Sequence, residues 1–226
     1  MYGTPIVGRP LLLGHRGARA IRSIPENTSE SFERALADGC DGFEFDVRLT
    51  SDGAAVVCHD PKYLGINIAD SPAGRVPKLP NLEHVMARFH HRAFLDIELK
   101  VVGLGANVAS LLRKYPPVAG FVVSSFLPEV LRELHAEDRS VPLGLICETS
   151  SELSAWRSVP GEYVISNYRL LSAQSTEELK DAGKKILTWT VNKSREMLRC
   201  RDLGVDGIIS DDTGLLCRTF SKENVG

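Results

Sequence analysis

The 226-residue chain has no excess of charge of either sign: 27 Lys and Arg stand against 29 Asp and Glu, a formal net charge of -2. Without a basic field to displace counterions from a phosphate backbone, nucleic-acid binding is excluded. No apolar run reaches the roughly 18–20 residues that a membrane helix needs, so no membrane span is expected. The opening segment, MYGTPIVGRP, lacks the charged start and long apolar stretch of a secretory leader. Five cysteines (Cys40, Cys58, Cys147, Cys200 and Cys217) form no C-x-x-C pair, and their number is odd. They exclude a disulfide frame and a cysteine-built zinc site, and read as free, mostly buried thiols in a reducing compartment, which points to a cytoplasmic protein. There is no 20–50-residue repeat and no low-complexity tract. Nothing in the chain fixes its oligomeric state.

What is present is an ordinary globular composition, 43% apolar and 25% charged. Short apolar runs alternate with amphipathic stretches. The runs are Leu11–His15, Phe43–Leu49, Ala55–His59, Phe94–Lys100, Gly120–Ser124, Pro142–Cys147, Tyr163–Ser166, Ile186–Val191 and Gly207–Ser210. Between them, Asn27–Ala37, with an N-cap expected at Asn27, Leu82–Phe89, Ala106–Lys114, Pro128–Ala136, Ser151–Arg157, Thr176–Ala182 and Ser194–Leu203 read as helices. Strand–helix alternation over this length predicts an α/β fold, a single (β/α)8 TIM barrel spanning 1–226 as one domain; an open doubly wound sheet is the competing architecture. Nine runs are one too many for a barrel. Phe43–Leu49 and Ala55–His59 are joined only by Thr50–Ala54, with an Asp52-Gly53 turn signal, too short for a parallel crossover. An irregular hairpin segment is therefore expected near strands 2 and 3. Ser221 to Gly226 reads as a polar tail, and Gly161, Gly183 and Gly204 as turns or helix ends.

Two runs carry charge where a doubly covered strand should be apolar. In Phe43–Arg48 the period of two puts Phe43, Phe45 and Val47 on one face and Glu44, Asp46 and Arg48 on the other. In Leu95–Lys100, Asp96, Glu98 and Lys100 likewise share a face. With the apolar faces under helices, the charged faces point into the barrel, where an unpaired carboxylate costs on the order of several kcal/mol. One resolution is internal salt bridging to Arg48 and Lys100. The other is a hard divalent cation, Mg²⁺ or Ca²⁺, held by Glu44, Asp46 and Glu98; an all-oxygen donor set argues against zinc and copper.

His15 and Arg16 end the first strand, at the rim where barrel enzymes keep their chemistry, and flanking Gly14 and Gly17 are expected to let backbone approach a ligand. His59 ends the third run. A single such histidine is ordinarily structural; two, beside Arg16, Lys100 and three carboxylates, describe phosphate-ester cleavage, with imidazoles moving protons and cations holding phosphate. His84, His90, His91 and His135 fall in helical stretches and read as solvated or packing residues. Trp189 reads as core or as an apolar wall; Asp211 and Asp212 either join the site or cap a turn.

These segments resemble the glycerophosphodiester phosphodiesterases, of the barrel superfamily that includes phosphatidylinositol-specific phospholipase C. The resemblance runs in order through His15-Arg16-Gly17, Pro25-Glu26-Asn27-Thr28, Glu44-Phe45-Asp46-Val47, Thr50–Gly53, Val56–Asp60, Ile97–Lys100, Trp189–Asn192 and Gly204–Asp211. It implies a metal-dependent hydrolase of lipid and glycerol metabolism that cleaves small glycerophosphodiesters, such as glycerophosphocholine or glycerophosphoethanolamine, to sn-glycerol 3-phosphate and an alcohol. By position it implies Glu44, Asp46 and Glu98 as ligands of one divalent cation, Mg²⁺ or Ca²⁺, His15 and His59 as the acid–base pair, and Arg16 and Lys100 on the phosphate. Trp189 and Phe126 would wall the glycerol. The chain departs from the family after His59-Asp60, where Pro61–Asn67 opens a short excursion in place of a longer one, which leaves the alcohol group open. Two other functions stay in view: a lysophospholipase D-type hydrolase and a non-catalytic phosphate-binding barrel.

Overall fold

Strand and helix alternate through the computed structural model, which describes residues 9–221. The strands are β1 (Leu11–His15), β2 (Gly42–Leu49), β3 (Ala55–Val57), β4 (Lys62–Tyr63), β5 (Ile66–Asn67), β6 (Phe94–Leu99), β7 (Phe121–Ser125), β8 (Leu143–Cys147), β9 (Tyr163–Asn167), β10 (Lys185–Trp189) and β11 (Gly207–Ser210). The α-helices are α1 (Ser29–Ala37), α2 (Leu82–Phe89), α3 (Gly105–Lys114), α4 (Pro128–Glu137), α5 (Ser150–Ser154), α6 (Ala173–Asp181), α7 (Ser194–Asp202) and α8 (Thr213–Ser221). Eight strands, β1, β2 and β6 to β11, pair in parallel; β1 bonds both β2 and β11 and closes the ring. The closed (β/α)8 barrel replaces the open-sheet alternative. The polar tail expected from Ser221 onward lies, past Ser221, outside the described residues, as does most of the opening segment.

The ninth run is the expected hairpin. β3 returns antiparallel along β2, with Val47 opposite Val57 and Leu49 opposite Ala55. It ends two residues before the expected His59, and β4 and β5 form a second, two-residue hairpin beyond it. Helix α1 starts later than expected: Thr28, not Asn27, is its N-cap and accepts from the Ser31 amide. Asn27 cannot cap because its side chain is committed to Asp46 and its backbone is left-handed, φ 59°, a region asparagine tolerates. The fifth predicted helix is split, α5 giving way to a 3₁₀ turn over Ala155–Ser158. α8 had no sequence-based counterpart; the Asp212 carboxylate accepts from the Leu215 amide in its first turn.

Two cores hold the barrel. Between ring and helices, Phe32 of α1 stacks on Phe43 of β2 at 4.1 Å, and Phe89 of α2 meets both edge-on. All three are fully buried, each contributing about 1.5–3 kcal/mol. Inside the ring, Leu13, Phe94, Val122, Ile146, Tyr163, Ile165, Leu187 and Ile209 form a separate apolar cluster. The glycines beside His15 pack chain against chain instead of admitting a ligand: a Cβ at Gly14 would lie 2.5 Å from the Gly17 carbonyl oxygen, and one at Gly17 would strike Ser31. This close approach seats α1 against the end of β1.

Candidate active site

β2 and β6 are adjacent and parallel, with Glu44 level with Asp96 and Asp46 level with Glu98. Alternation turns all four acids inward while Phe43, Phe45, Val47, Leu95, Ile97 and Leu99 go under the helices, each buried to 99% or more. The interior-facing reading of both charged strands therefore holds. Glu44, Asp46 and Glu98 each bring a carboxylate oxygen within 4.8 Å of the other two, and are the one such three-residue group among the described residues.

The cations inside only partly offset this charge. Lys100 Nζ lies 2.5 Å from Glu98 Oε1 and 3.4 Å from Asp46 Oδ1. Arg16 Nε lies 3.3 Å from Asp46 Oδ2, and its Nη1 donates to Glu26. Arg48, expected as a possible partner of the acids, instead donates from Nε to the His59 carbonyl oxygen at 2.8 Å. Glu44 accepts from the Arg16 amide through Oε2, while Glu44 Oε1, Asp46 Oδ1 and Asp96 Oδ2 are buried and accept no hydrogen bond. Internal salt bridging thus exists but leaves carboxylate oxygens unanswered. Converging oxygen donors with orphaned lone pairs fit a hard divalent cation.

Protonation follows the same imbalance. Burial, then the charges of Asp46, Glu98 and Asp96, push Glu44 well above the usual carboxylate range. Burial and the Asp46 charge lift Glu98 to about 7 against the pull of Lys100. Burial lifts Asp96 to about 7 although Ser124 donates to it at 2.6 Å. Burial would raise Asp46 too, but Arg16, Lys100 and the Asn27 amide outweigh it and hold it below its ordinary value. One carboxylate is thus kept charged by its neighbours while those around it resist ionising together.

Both imidazoles are held by acids. His15 Nδ1 lies 2.7 Å from Asp211 Oδ1, and Asp211 also accepts from Asn192 and Arg19. His59 Nδ1 lies 2.7 Å from Asp60 Oδ1. A carboxylate only accepts, so each Nδ1 carries its proton and each Nε2 is left to take one. His15 Nε2 faces Glu44 Oε2 at 3.8 Å. Burial pulls the His59 imidazole below its ordinary pKa, against the charge of Asp46 and the bond to Asp60. Asp211 would rise on burial, but its bond and charge contact with His15, with help from Asn192 and Arg19, drive it far below the usual range.

A cavity of about 290 Å³ joins these groups. It is lined by His15, Arg16, Glu44, His59, Asp96, Glu98 and Lys100, on or just after β1, β2, β3 and β6, and by Phe126, Ile146, Glu148, Ile165, Trp189 and Ile209, on or just after β7 to β11. Every sequence-predicted site residue lines it except Asp46, which is fully buried. Phe126 and Trp189 meet edge to face at 5.6 Å, and the indole N–H donates to the Ile165 carbonyl. Trp189 is both wall and anchored core. A larger hollow, about 730 Å³, opens among the strand starts, with the Arg9–Asp41 pair at its edge; none of the sequence-predicted site residues lines it.

Asn27, Asp60, Asp96, Glu148 and Asp211 are residues of the site that sequence reasoning did not place there. Asp96 carried the signal, on the inward face with Glu98. Asn27 sat in the Pro-Glu-Asn-Thr segment but read as a cap. Asp211 was one of two undecided acids, and only ring closure brings it to His15; Asp212 is the one that caps.

The chain matches the Glycerophosphoryl diester phosphodiesterase family over residues 15–102 and 105–215. A glycerophosphodiester phosphodiesterase of Caldanaerobacter subterraneus subsp. tengcongensis is 28% identical over 245 residues, covering 95% of this chain and 99% of the relative. Among solved structures, a glycerophosphodiester phosphodiesterase from Thermotoga maritima superposes with a TM-score of 0.80 at 23% identity, covering 93% of this chain and 98% of that one. A phosphodiesterase from Oleispira antarctica, in complex with the product sn-glycerol-3-phosphate, superposes with a TM-score of 0.81 at 22% identity, covering 94% and 97%.

Proposed function

Because this chain belongs to the glycerophosphoryl diester phosphodiesterase family and is thereby a phosphoric diester hydrolase, we propose that it cleaves small deacylated glycerophosphodiesters, such as glycerophosphocholine and glycerophosphoethanolamine, to sn-glycerol 3-phosphate and an alcohol. The observation that carries this reading is the convergence of Glu44, Asp46 and Glu98 on one another beside a cavity that two acid-held imidazoles line.

Glu44, Asp46 and Glu98 would hold one divalent cation, Mg²⁺ or Ca²⁺, which when bound draws negative charge from the phosphoryl oxygens and lowers the barrier to attack. Arg16 and Lys100 hold the phosphate from the same side. Trp189 and Phe126 face the glycerol carbons and keep water from them. One imidazole Nε2 takes the proton of the glycerol 2-hydroxyl as that oxygen attacks phosphorus, and the other histidine, protonated, gives its proton to the departing alcohol. The products of this step are a five-membered cyclic phosphate and the alcohol. The roles then reverse: water loses a proton to the second imidazole, attacks phosphorus, and the 2-oxygen leaves with the proton of the first. Asp211 and Asp60 keep each ring in the tautomer this exchange needs.

The family match extends across all eight barrel strands except for the first four residues of β1, which supports reading the chain as one catalytic domain. All five cysteines are free and buried, which supports a reducing, cytoplasmic setting. Among the described residues no helix is long and apolar enough to cross a membrane.

A coupled assay for glycerol 3-phosphate tests the reading. Purified protein with Mg²⁺ or Ca²⁺ is expected to release it from glycerophosphocholine or glycerophosphoethanolamine, and EDTA is expected to stop it. Absence of product from every glycerophosphodiester offered, with either metal, rejects the proposal.

A further inference from the structure

The two sides of the catalytic cavity differ in kind. One side carries every group that the proposed reaction uses on phosphorus. The other is hydrocarbon and aromatic, from Phe126, Ile146, Ile165, Trp189 and Ile209, with one ionisable residue among them, Glu148. Glu148 follows β8 directly, and the period of two places it on the inward face with Ile146. Its backbone is fixed: the Glu148 and Thr149 amides both donate to Glu152 Oε2, and Thr149 caps α5 in return. Its carboxylate makes no hydrogen bond or ion pair among the described residues. An exposed carboxylate with no partner among the described residues therefore lines the cavity beside its apolar groups, and Lys100, which reaches the same wall 5.6 Å from the Phe126 ring centroid, is already paired with Glu98.

A glycerophosphodiester held by its phosphate on the polar side lays its glycerol against that apolar wall. The 2-hydroxyl is used in the reaction. The primary hydroxyl, one carbon further from phosphorus, enters a hydrocarbon surface and needs an acceptor there. Glu148 is the acceptor on that wall. An acylated oxygen has no hydrogen to donate, and its chain would be pressed against the same charge.

We propose that Glu148 recognises the free primary hydroxyl of the glycerol group, so that the site takes deacylated glycerophosphodiesters and disfavours lysolipids. The inference rests on the phosphodiesterase reading given above and adds the residue that sets its substrate class.

Two substrates separate the roles. Glycerophosphocholine carries both hydroxyls; 2-hydroxyethyl phosphocholine keeps the attacking hydroxyl and lacks only the hydroxymethyl group. Glu148→Ala is expected to lower kcat/KM for glycerophosphocholine about 10- to 100-fold, as loss of a hydrogen bond to a charged group does, mostly through KM. On 2-hydroxyethyl phosphocholine the variant is expected to stay within about twofold of the unaltered protein. Glu148→Gln, which keeps an acceptor oxygen, is expected to lose less than Glu148→Ala on the first substrate. Equal losses on both substrates would mean that Glu148 supports structure alone, and no loss on either would mean that it touches nothing; each result overturns the proposal. Inactivity of the unaltered protein on both substrates, with Mg²⁺ or Ca²⁺ present, would instead remove the phosphodiesterase reading and this inference with it.

Discussion

Asp211, at the end of β11, holds His15, at the end of β1, across 2.7 Å and 196 positions of sequence. The two strands are the ones whose pairing helps to close the barrel, so closure itself assembles the histidine with its orienting acid. Asp211→Asn is expected to cut kcat on glycerophosphocholine about 100-fold while leaving KM close to its original value, because the amide can hold the ring in the wrong tautomer without disturbing substrate contacts. Steady-state kinetics on the folded variant check this.

The same acid makes stability depend on pH. Its folded pKa is depressed by His15, Asn192 and Arg19, so the stabilisation is fully present above the unfolded value of about 3.9 and is lost as pH falls through and below it. Urea unfolding of the unaltered protein and of Asp211→Asn is expected to show a gap that is steady above about pH 5 and narrows toward pH 3. A gap that widens on acidification would contradict the assignment.

Metal binding and proton transfer are expected to separate by mutation. Glu44→Gln should weaken Mg²⁺ or Ca²⁺ binding, read by calorimetry, at least about tenfold. His59→Ala should leave that binding in place and lower turnover about 100- to 10,000-fold. The reverse pattern would reassign both residues.

A bound cation should stabilise the fold by mass action. At a concentration 100 times its dissociation constant the gain is about 2.7 kcal/mol, visible as a rise in Tm over the EDTA-treated protein. Glu44→Gln and Glu98→Gln should each shrink the rise, and a surface change such as Glu137→Gln should not.

Gly42 starts β2 where it pairs with Phe94, and a Cβ there would lie 1.9 Å from the Phe94 carbonyl oxygen. Gly42→Ala is expected to destabilise the barrel by more than about 4 kcal/mol, or to prevent soluble expression, with no contact to the cavity needed to explain it.

The legible part of this protein was the part governed by short periods. Glu44 and Asp46, or Asp96 and Glu98, two apart between buried apolar neighbours, can point only one way once helices cover the other face. The hairpin of β2 and β3 was legible because five residues cannot make a parallel crossover. The rest depended on partners distant in sequence. Nothing local distinguishes Asp211, which reaches His15, from Asp212, which caps α8. Asn27 has the residue type of a cap, and only the position of Asp46 beneath it explains its left-handed backbone. Arg48 lies on the charged face of its strand, yet its length carries the guanidinium past the acids to the His59 carbonyl. Gly14 and Gly17 looked like room for a ligand and are room for α1.

The excursion between His59 and α2 begins and ends on one short strand. The Cys58 amide bonds the Asp46 carbonyl, the Val57 amide bonds the Pro80 carbonyl, and Val56 bridges Asn81. Residues 61–79 therefore leave and return through a pinned neck, outside the ring of eight. Doubling the length of such a loop adds only about 0.6 kcal/mol of closure entropy. None of these residues lines the catalytic-site cavity, so a change in the length of the excursion that spares the buried Ile68 and Val76 is expected to leave the register of the carboxylates untouched.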